Sequence, residues 1–241
     1  MAASFRSGRC GGSSPCDRRD RLSDFAGVIF RRRHYVSFVM KADICTVKGR
    51  PREFCLDGAL AAALRVFWSK GYEGASMTEL TEAMGITRPS LYAAFGNKEA
   101  LFRKALDLYE REKLDYIGTA LEAPTARGVA KALMLGGLEN QMAKDEPHGC
   151  LGVISSVACG HDAESIRLEV LERGKAARRA LIERFERAKA DGDLPAHVDV
   201  EGLTGYLFAI LQGMAVQAGA GASREDLERL IDTSLMVWPS S

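Results

Sequence analysis

The chain has 241 residues, 46% hydrophobic and 27% charged, and its 33 Lys and Arg nearly balance its 32 Asp and Glu. This is the composition of a soluble globular protein, and it excludes a collagen, a charge-driven disordered chain and a disulfide-rich scaffold. Because six cysteines are too few to staple a chain of this length, a reducing, cytoplasmic location is predicted.

The charge is unevenly distributed along the chain. Residues 1–50 carry 11 Lys or Arg against 4 Asp, whereas the remainder carries 22 basic and 28 acidic side chains. The basic, Gly- and Ser-rich segment 1–47 is predicted to be a disordered extension, with nucleic-acid contact as the alternative. Since Met40 would be a natural translation start, residues 1–39 are interpreted as an optional or mis-assigned extension.

Neither a secretory signal nor a membrane helix is indicated. The apolar run Phe25–Phe30 is only six residues long and is followed at once by three arginines, which is too short for a signal peptide. The longest uncharged run, Gly202–Ser223, contains Thr, Gln and repeated Gly, which favours a buried helix of a soluble bundle.

After residue 50, apolar residues recur at helical spacing and strand-like alternation is almost absent, so an all-α fold of about nine helices is predicted. The first helix carries an apolar stripe over Leu56–Phe67 and is expected to end at Gly71. No internal repeat is visible.

The next two predicted helices are short. A capping box that begins at Ser76 starts the first of them, which ends near Gly85. Thr87 is expected to cap the second, which has Pro89 in its first turn and runs to about Phe95. Two such helices have the dimensions of a helix-turn-helix, in which the second helix enters the major groove of DNA, but an ordinary three-helix core fits the pattern equally well. Their shared core is predicted to contain Leu80, Met84, Ile86, Leu91 and Phe95.

A fourth helix is predicted to start after an Asn97 cap and to continue toward Tyr116, with a linker near Pro124. Five more helices are predicted beyond the linker: about Arg127–Met142, Leu151–Cys159, Ile166–Ala188, Asp199–Met214 and Ser223–Trp238.

One stretch, Gly71–Phe102, resembles the DNA-binding region of the TetR family of transcriptional repressors. The hallmark is a Ser or Thr shortly before Leu-Tyr, then two residues, Phe, a short break and Lys-Glu. It is carried here by Thr87, Leu91, Tyr92, Phe95, Lys98 and Glu99. The resemblance implies a three-helix DNA-binding domain over residues 48–100 and a helical ligand-sensing and dimerisation domain over residues 101–241.

The resemblance also implies which side chains contact DNA. Those expected to contact phosphates, which set orientation without reading sequence, are Ser76, Thr78, Thr87, Ser90, Tyr92 and Lys98. Arg88 is expected to read a guanine edge, and Arg50 with Arg52 to form an arm that reaches the backbone or minor groove. Because Ala93 and Ala94 replace the larger polar residues frequent in the family, recognition is expected to depend on DNA shape or thymine methyl groups.

The C-terminal half resembles the family in helix number and length. Its predicted core, where the family places a small-molecule pocket, is lined by Met134, Leu138, Met142, Ile154, Val157, Phe185 and Phe208. Met and Phe at helical spacing also fit a plain core without a ligand. A pocket of this kind would suit an apolar or aromatic effector, with Gln141, His148 or Tyr206 as polar anchors.

The last two predicted helices have apolar faces interrupted by small residues, which let helix axes approach closely. The resemblance implies that these helices form a homodimer, a two-fold arrangement that matches a palindromic operator with half-sites about 34 Å apart. The alternative is that both faces are buried within one chain. Effector binding would favour a dimer whose recognition helices no longer fit successive major grooves, so that the repressor leaves the DNA.

Two cysteines and two histidines, His148, Cys150, Cys159 and His161, suggest metal or thiol chemistry. Because nine residues of helix separate the two cysteines, they are expected on opposite faces, too far apart for a zinc site or a disulfide. Buried structural cysteines are therefore predicted. A thiol-based redox or electrophile sensor, or a small helical thiol enzyme, is the alternative. No enzyme, cofactor or metal is predicted.

Overall fold

The computed structural model describes residues 55–157, 160 and 163–239, which form ten α-helices and no strand. The helices are α1 Leu56–Gly74, α2 Met77–Met84, α3 Arg88–Phe95, α4 Lys98–Lys113, α5 Tyr116–Leu121, α6 Ala126–Gln141, α7 Leu151–Val157, α8 Glu164–Ala190, α9 Val200–Gly219 and α10 Arg224–Met236. The all-α prediction is confirmed. None of these helices has the length and hydropathy required to cross a bilayer. Segment 1–47, Arg50, Arg52, Cys159 and His161 lie outside the described residues.

The helices around the predicted helix-turn-helix begin and end at local signals. Gly71 breaks α1 with a φ of 71°, and the capping box of Ser76 starts α2. Gly85 ends α2 in the left-handed region at φ 64°, where a side chain would be strained. The hydroxyl of Thr87 then caps α3, and the side chain of Asn97 caps α4. All of these predictions are confirmed.

The first hydrophobic core joins α1 to α4. Phe67, Trp68, Leu80, Leu91 and Phe102 are fully buried in it, and each side chain of this size contributes about 1.5–3 kcal/mol by leaving water. Since Leu151, Ile166 and Val170 belong to the same core, α7 and the start of α8 also pack on α1–α4.

The second core lies among α5, α6, α8, α9 and α10. The prediction that α4 continues to Tyr116 is wrong, because α4 ends at Lys113 and the short α5 follows. Tyr116 packs so closely on α6 that a Cβ at Gly136 would overlap its ring. This contact is made between residues 20 positions apart, so the helical periodicity of α4 could not show it.

Candidate nucleic-acid interface

The second helix of the helix-turn-helix is anchored on one side and open on the other. Leu91 and Phe95 of α3 are buried against Leu80 and Met84 of α2, and Ile86 in the turn packs on the same core while partly buried. This confirms the predicted shared core. On the outer side of α3, Tyr92 is 51% exposed and Arg88 is also exposed.

Hydrogen bonds hold the polar residues at the start of α3. The hydroxyl of Thr87 accepts the backbone N–H of Ser90 at 3.3 Å and lies 2.9 Å from the Ser90 hydroxyl. The guanidinium of Arg88 donates to the hydroxyl of Thr78 at 2.8 Å. This bond joins α3 to the first turn of α2, so the side chains predicted to contact DNA from these two helices share one surface.

Hydrogen bonds hold the side chains at the start of α2 in place. Ser76 accepts the N–H of Glu79, and the Glu79 carboxylate accepts the N–H of Ser76 at 3.0 Å. A hydrogen bond from Lys70, and then those from Ser76, lower the pKa of Glu79 to about 2. Ser76 is therefore held at the start of α2 by both its backbone N–H and its side chain.

Lys98 is the first residue of α4. Its ammonium sits 4.6 Å from the centre of the Tyr72 ring, a cation–π contact. Partial burial lowers the pKa of Lys98, against the opposing effect of Glu73. The ammonium is thus held in place beside the N-terminus of α4 rather than moving freely in solvent.

Comparison with known proteins agrees with this geometry. Residues 59–105 match the family model for bacterial regulatory proteins of the TetR family, and residues 128–234 match the C-terminal domain model described as tetracyclin repressor-like. The chain belongs to the TetR family. It is a TetR-type transcriptional repressor with a helix-turn-helix DNA-binding domain, and not an enzyme.

Individual relatives are similar over most of their length. The transcriptional repressor ComR of Escherichia coli is 36% identical over 80% of this chain and 92% of its own. The regulator YezE of Bacillus subtilis is 30% identical over 78% of this chain and 98% of its own. A cysteine mutant of the TetR family regulator CifR, solved with 26-bp double-strand operator DNA, is 40% identical over 79% of this chain and all of its own, with a TM-score of 0.75.

The residues predicted to line an effector pocket divide into two groups. Met134, Leu138 and Phe185 are fully buried in the second core, and Met142 and Phe208 pack against it. The other two, Ile154 and Val157, lie on α7 and do not belong to the second core.

Ile154 lies against the DNA-binding half, which comprises α1–α4. Its Cγ2 is 3.1 Å from where a Cβ of Gly71 in α1 would stand. Val157 is 80% exposed, so the expectation that it lines a core is wrong. Because α7 packs mainly on α1 and α8, the outer side of this short helix faces solvent.

One set of long-range contacts had no sequence signal. Arg65 of α1 donates to the carbonyl oxygen of Asp145 and pairs with Glu146 at 3.5 Å, and Trp68 Nε1–H donates to the carbonyl oxygen of Gly149 at 3.1 Å. Lys113 of α4 also binds Glu146, at 3.0 Å. The segment 145–149, which connects α6 to α7, is therefore bound to α1 by residues about 80 positions away and to α4 by a residue 33 positions away.

A second link joins α4 to α8. Arg173 pairs with Glu110 at 2.8 Å and with Asp107 and Glu169 at 2.7 Å, and Arg103 binds Glu169 at 2.5 Å. Helices α4 and α8 thus share charged contacts besides the apolar ones.

The three predicted polar anchors and Cys150 differ in how deeply they are buried. Gln141 is buried, whereas His148 is exposed and Tyr206 is 37% exposed. Cys150 is half-buried and makes no disulfide. Because Cys159 lies outside the described residues, the predicted separation of the two thiols stays a prediction.

Proposed function

We propose that this chain binds a palindromic operator as a homodimer and leaves it when a small molecule binds the C-terminal half. The observation that carries the proposal is the anchored α3, whose buried Leu91 and Phe95 leave Arg88 and Tyr92 exposed at its outer surface. The complex of the similar CifR with double-strand operator DNA supports it. Such a repressor acts in the cytoplasm, where it has access to the genome.

The exposed side chains have two roles in this proposal. Hydroxyl and ammonium groups at the helix starts bind phosphates and fix the orientation of α3: Ser76, Thr78, Thr87, Ser90, Tyr92 and Lys98. Arg88 exchanges its hydrogen bond to Thr78 for the O6 and N7 atoms of a guanine. Arg50 and Arg52 add contacts to the backbone or minor groove.

The dimer is proposed to form through α9 and α10. These helices and the residue that follows them expose Val216, Met236 and Val237 by 60%, 81% and 65%, and Tyr206 by 37%. Apolar side chains exposed on neighbouring helices are typical of interaction surfaces. A two-fold axis through them would duplicate α3 and match the symmetry of a palindrome.

Effector binding is proposed to act through the contacts between the halves. Segment 145–149 holds Arg65 and Trp68 of α1, so a shift of this segment changes how α1 is seated. A ligand that binds better to the shifted arrangement moves the population toward it, and the two recognition helices lose their spacing.

The proposal is tested by selecting DNA from a random pool with the full chain and footprinting the enriched sequence. A palindrome with half-sites about one helical turn apart is expected. Arg88→Ala should weaken binding to that sequence by about 5- to 150-fold, the effect of one bidentate base contact. Arg179→Ala, which removes an exposed arginine of α8, is the matched control and should bind normally. Equal affinities of the two variants would contradict the role given to Arg88, and failure to enrich any sequence would contradict the function.

A further inference from the structure

One oxygen of a buried polar side chain has no partner among the described residues at the C-terminal end of α6. Gln141 is 5% exposed, and its Oε1 has no hydrogen-bond partner among the residues that the structure describes. Buried side-chain oxygens nearly always accept at least one hydrogen bond, because an unpaired one is costly in a medium that lacks water. This oxygen therefore indicates a donor that the described part of the chain does not provide.

Other polar groups lie around the same point. A Cβ built on Gly137 would be 3.6 Å from the hydroxyl of Tyr116, 3.8 Å from Nε2 of Gln141 and 3.6 Å from Cδ2 of Leu211. A Cβ at Gly137 would be in ordinary van der Waals contact with all three neighbours, so the missing side chain leaves space of about one methyl group among them. Two hydrogen-bond donors and one apolar side chain thus meet beside the unpaired oxygen.

The groups around this point are uncharged. Burial, with a smaller effect of the nearby Cys150 thiol, raises the pKa of both Tyr109 and Tyr116, so both phenols keep their protons. The hydroxyl of Tyr109 also accepts a hydrogen bond from Nδ2 of Asn140 at 3.4 Å. A charged ligand would find no counter-charge among these side chains, and its desolvation would oppose binding.

We propose that Gln141 and Tyr116 bind the polar end of the effector, and that this end is a neutral group able both to donate and to accept, such as an amide or an alcohol. The donor of that group satisfies Gln141 Oε1, and its acceptor takes the hydroxyl proton of Tyr116 or the N–H of Gln141. The remainder of the molecule is apolar, because Leu211 and the second core lie on the same side. This inference rests on the proposed effector-released repressor and names the chemistry of its effector.

The position of the site fits its proposed consequence. The phenols of Tyr109 and Tyr116 are both close to Cys150, the residue next to Gly149. The carbonyl of Gly149 accepts the hydrogen bond of Trp68 in the DNA-binding half. A ligand bound at Tyr116 and Gln141 therefore lies near the segment that holds α1.

The test uses two probes of equal shape, benzamide and acetophenone, in which a methyl group replaces the amide NH2. Benzamide should raise the melting temperature of the full chain and release it from the selected DNA, and acetophenone should be roughly tenfold less potent because it lacks the donor. Gln141→Met keeps the side-chain length and removes the amide. This variant should lose the discrimination between the probes and melt about 2–4 °C higher without ligand. Gln212→Met, on an exposed position of α9, is the control. It should change neither the discrimination between the probes nor the melting temperature.

Three results would overturn the inference: no response to benzamide, equal responses of the unsubstituted chain to both probes, or a lower melting temperature of Gln141→Met. The last result would assign the Gln141 amide a structural role. Failure of the proposed repressor function looks different. In that case the chain would enrich no DNA sequence, while the melting temperature would still distinguish benzamide from acetophenone.

Discussion

The two halves of the molecule satisfy their buried polar groups differently. In the DNA-binding half, the capping hydroxyls are paired and Trp68 Nε1–H is bonded to Gly149. In the C-terminal half, the proposed sensor half, Gln141, Thr204 and Trp238 each bury a polar side-chain atom without a partner among the described residues. A recognition helix needs one fixed geometry, whereas a ligand site keeps unsatisfied groups for its ligand at a cost in stability. Substitutions in both halves test this contrast.

Leu91→Ala should have the largest effect, because Leu91 is fully buried between α2 and α3. Removing a buried Leu side chain lowers the free energy of unfolding by about 2–5 kcal/mol. Urea denaturation measures the change, and operator binding should fall with it. A loss below about 1 kcal/mol would mean that the DNA-binding half is loosely packed, and the contrast would fail.

The tryptophans offer a matched pair between the halves. Trp68→Phe leaves the Gly149 carbonyl without its donor, whereas Trp238→Phe removes an N–H that has no partner among the described residues. Trp68→Phe should cost about 1–3 kcal/mol more than Trp238→Phe, the penalty of an orphaned buried acceptor. Thermal or urea unfolding of both variants gives the difference. Equal losses would show that this bond contributes no stability.

Trp68→Phe should also alter regulation. Since its hydrogen bond joins α1 to the α6–α7 connection, its loss should reduce the effector-induced change in DNA affinity more than the affinity itself. DNA binding titrated with and without benzamide separates the two quantities. Unchanged coupling would exclude this contact as the route.

Two glycines occupy positions that require different backbone conformations. Gly85 has a φ of 64°, and no atom lies within 4 Å of the point where a Cβ would stand, so Gly85→Ala costs only backbone strain, about 1–2 kcal/mol. Gly174 lies inside α8 with equally open surroundings, and Gly174→Ala should stabilise by roughly 0.5–1 kcal/mol. Melting temperatures should therefore move in opposite directions. A shift in the same direction would contradict the assignment of Gly85 as a left-handed turn.

The smallest expected effect concerns pH. The folded pKa of Glu79, about 2, lies below its ordinary value of 4.5. This group therefore contributes stability above about pH 4.5, and the contribution is lost as pH falls toward 2. Glu79→Gln keeps an acceptor for Ser76 and should weaken that dependence between about pH 5 and pH 2, as measured by urea midpoints. An identical pH profile would mean that the carboxylate is not stabilised in the folded state.

Much of the DNA-binding half was predictable, because its signals act between residues at most four positions apart. Ser76, Thr87 and Asn97 each cap the helix that the sequence pattern assigned to them, Gly85 ends α2 as expected, and Gly71 breaks α1 three residues before its end. The motif around Leu91 and Phe95 then connected these helices to DNA binding. Which DNA contacts the individual polar side chains make stays a prediction.

The sensor half was less predictable at the level of the site. Periodicity indicated its long helices, but it could not distinguish Val157 at the surface from Met134 in the core, nor show that α4 ends before Tyr116. It likewise offered Gln141, His148 and Tyr206 as equivalent anchors, although burial separates them.

The sequence by itself determined the helix type, the caps and the family, because backbone hydrogen bonds at helix ends and apolar spacing depend on near neighbours. Only the tertiary structure decided that Trp68 bonds to Gly149 and that the Gln141 oxygen has no partner among the residues that the structure describes. These facts depend on which distant segments meet and on which polar atoms lose water there, and a linear pattern records neither.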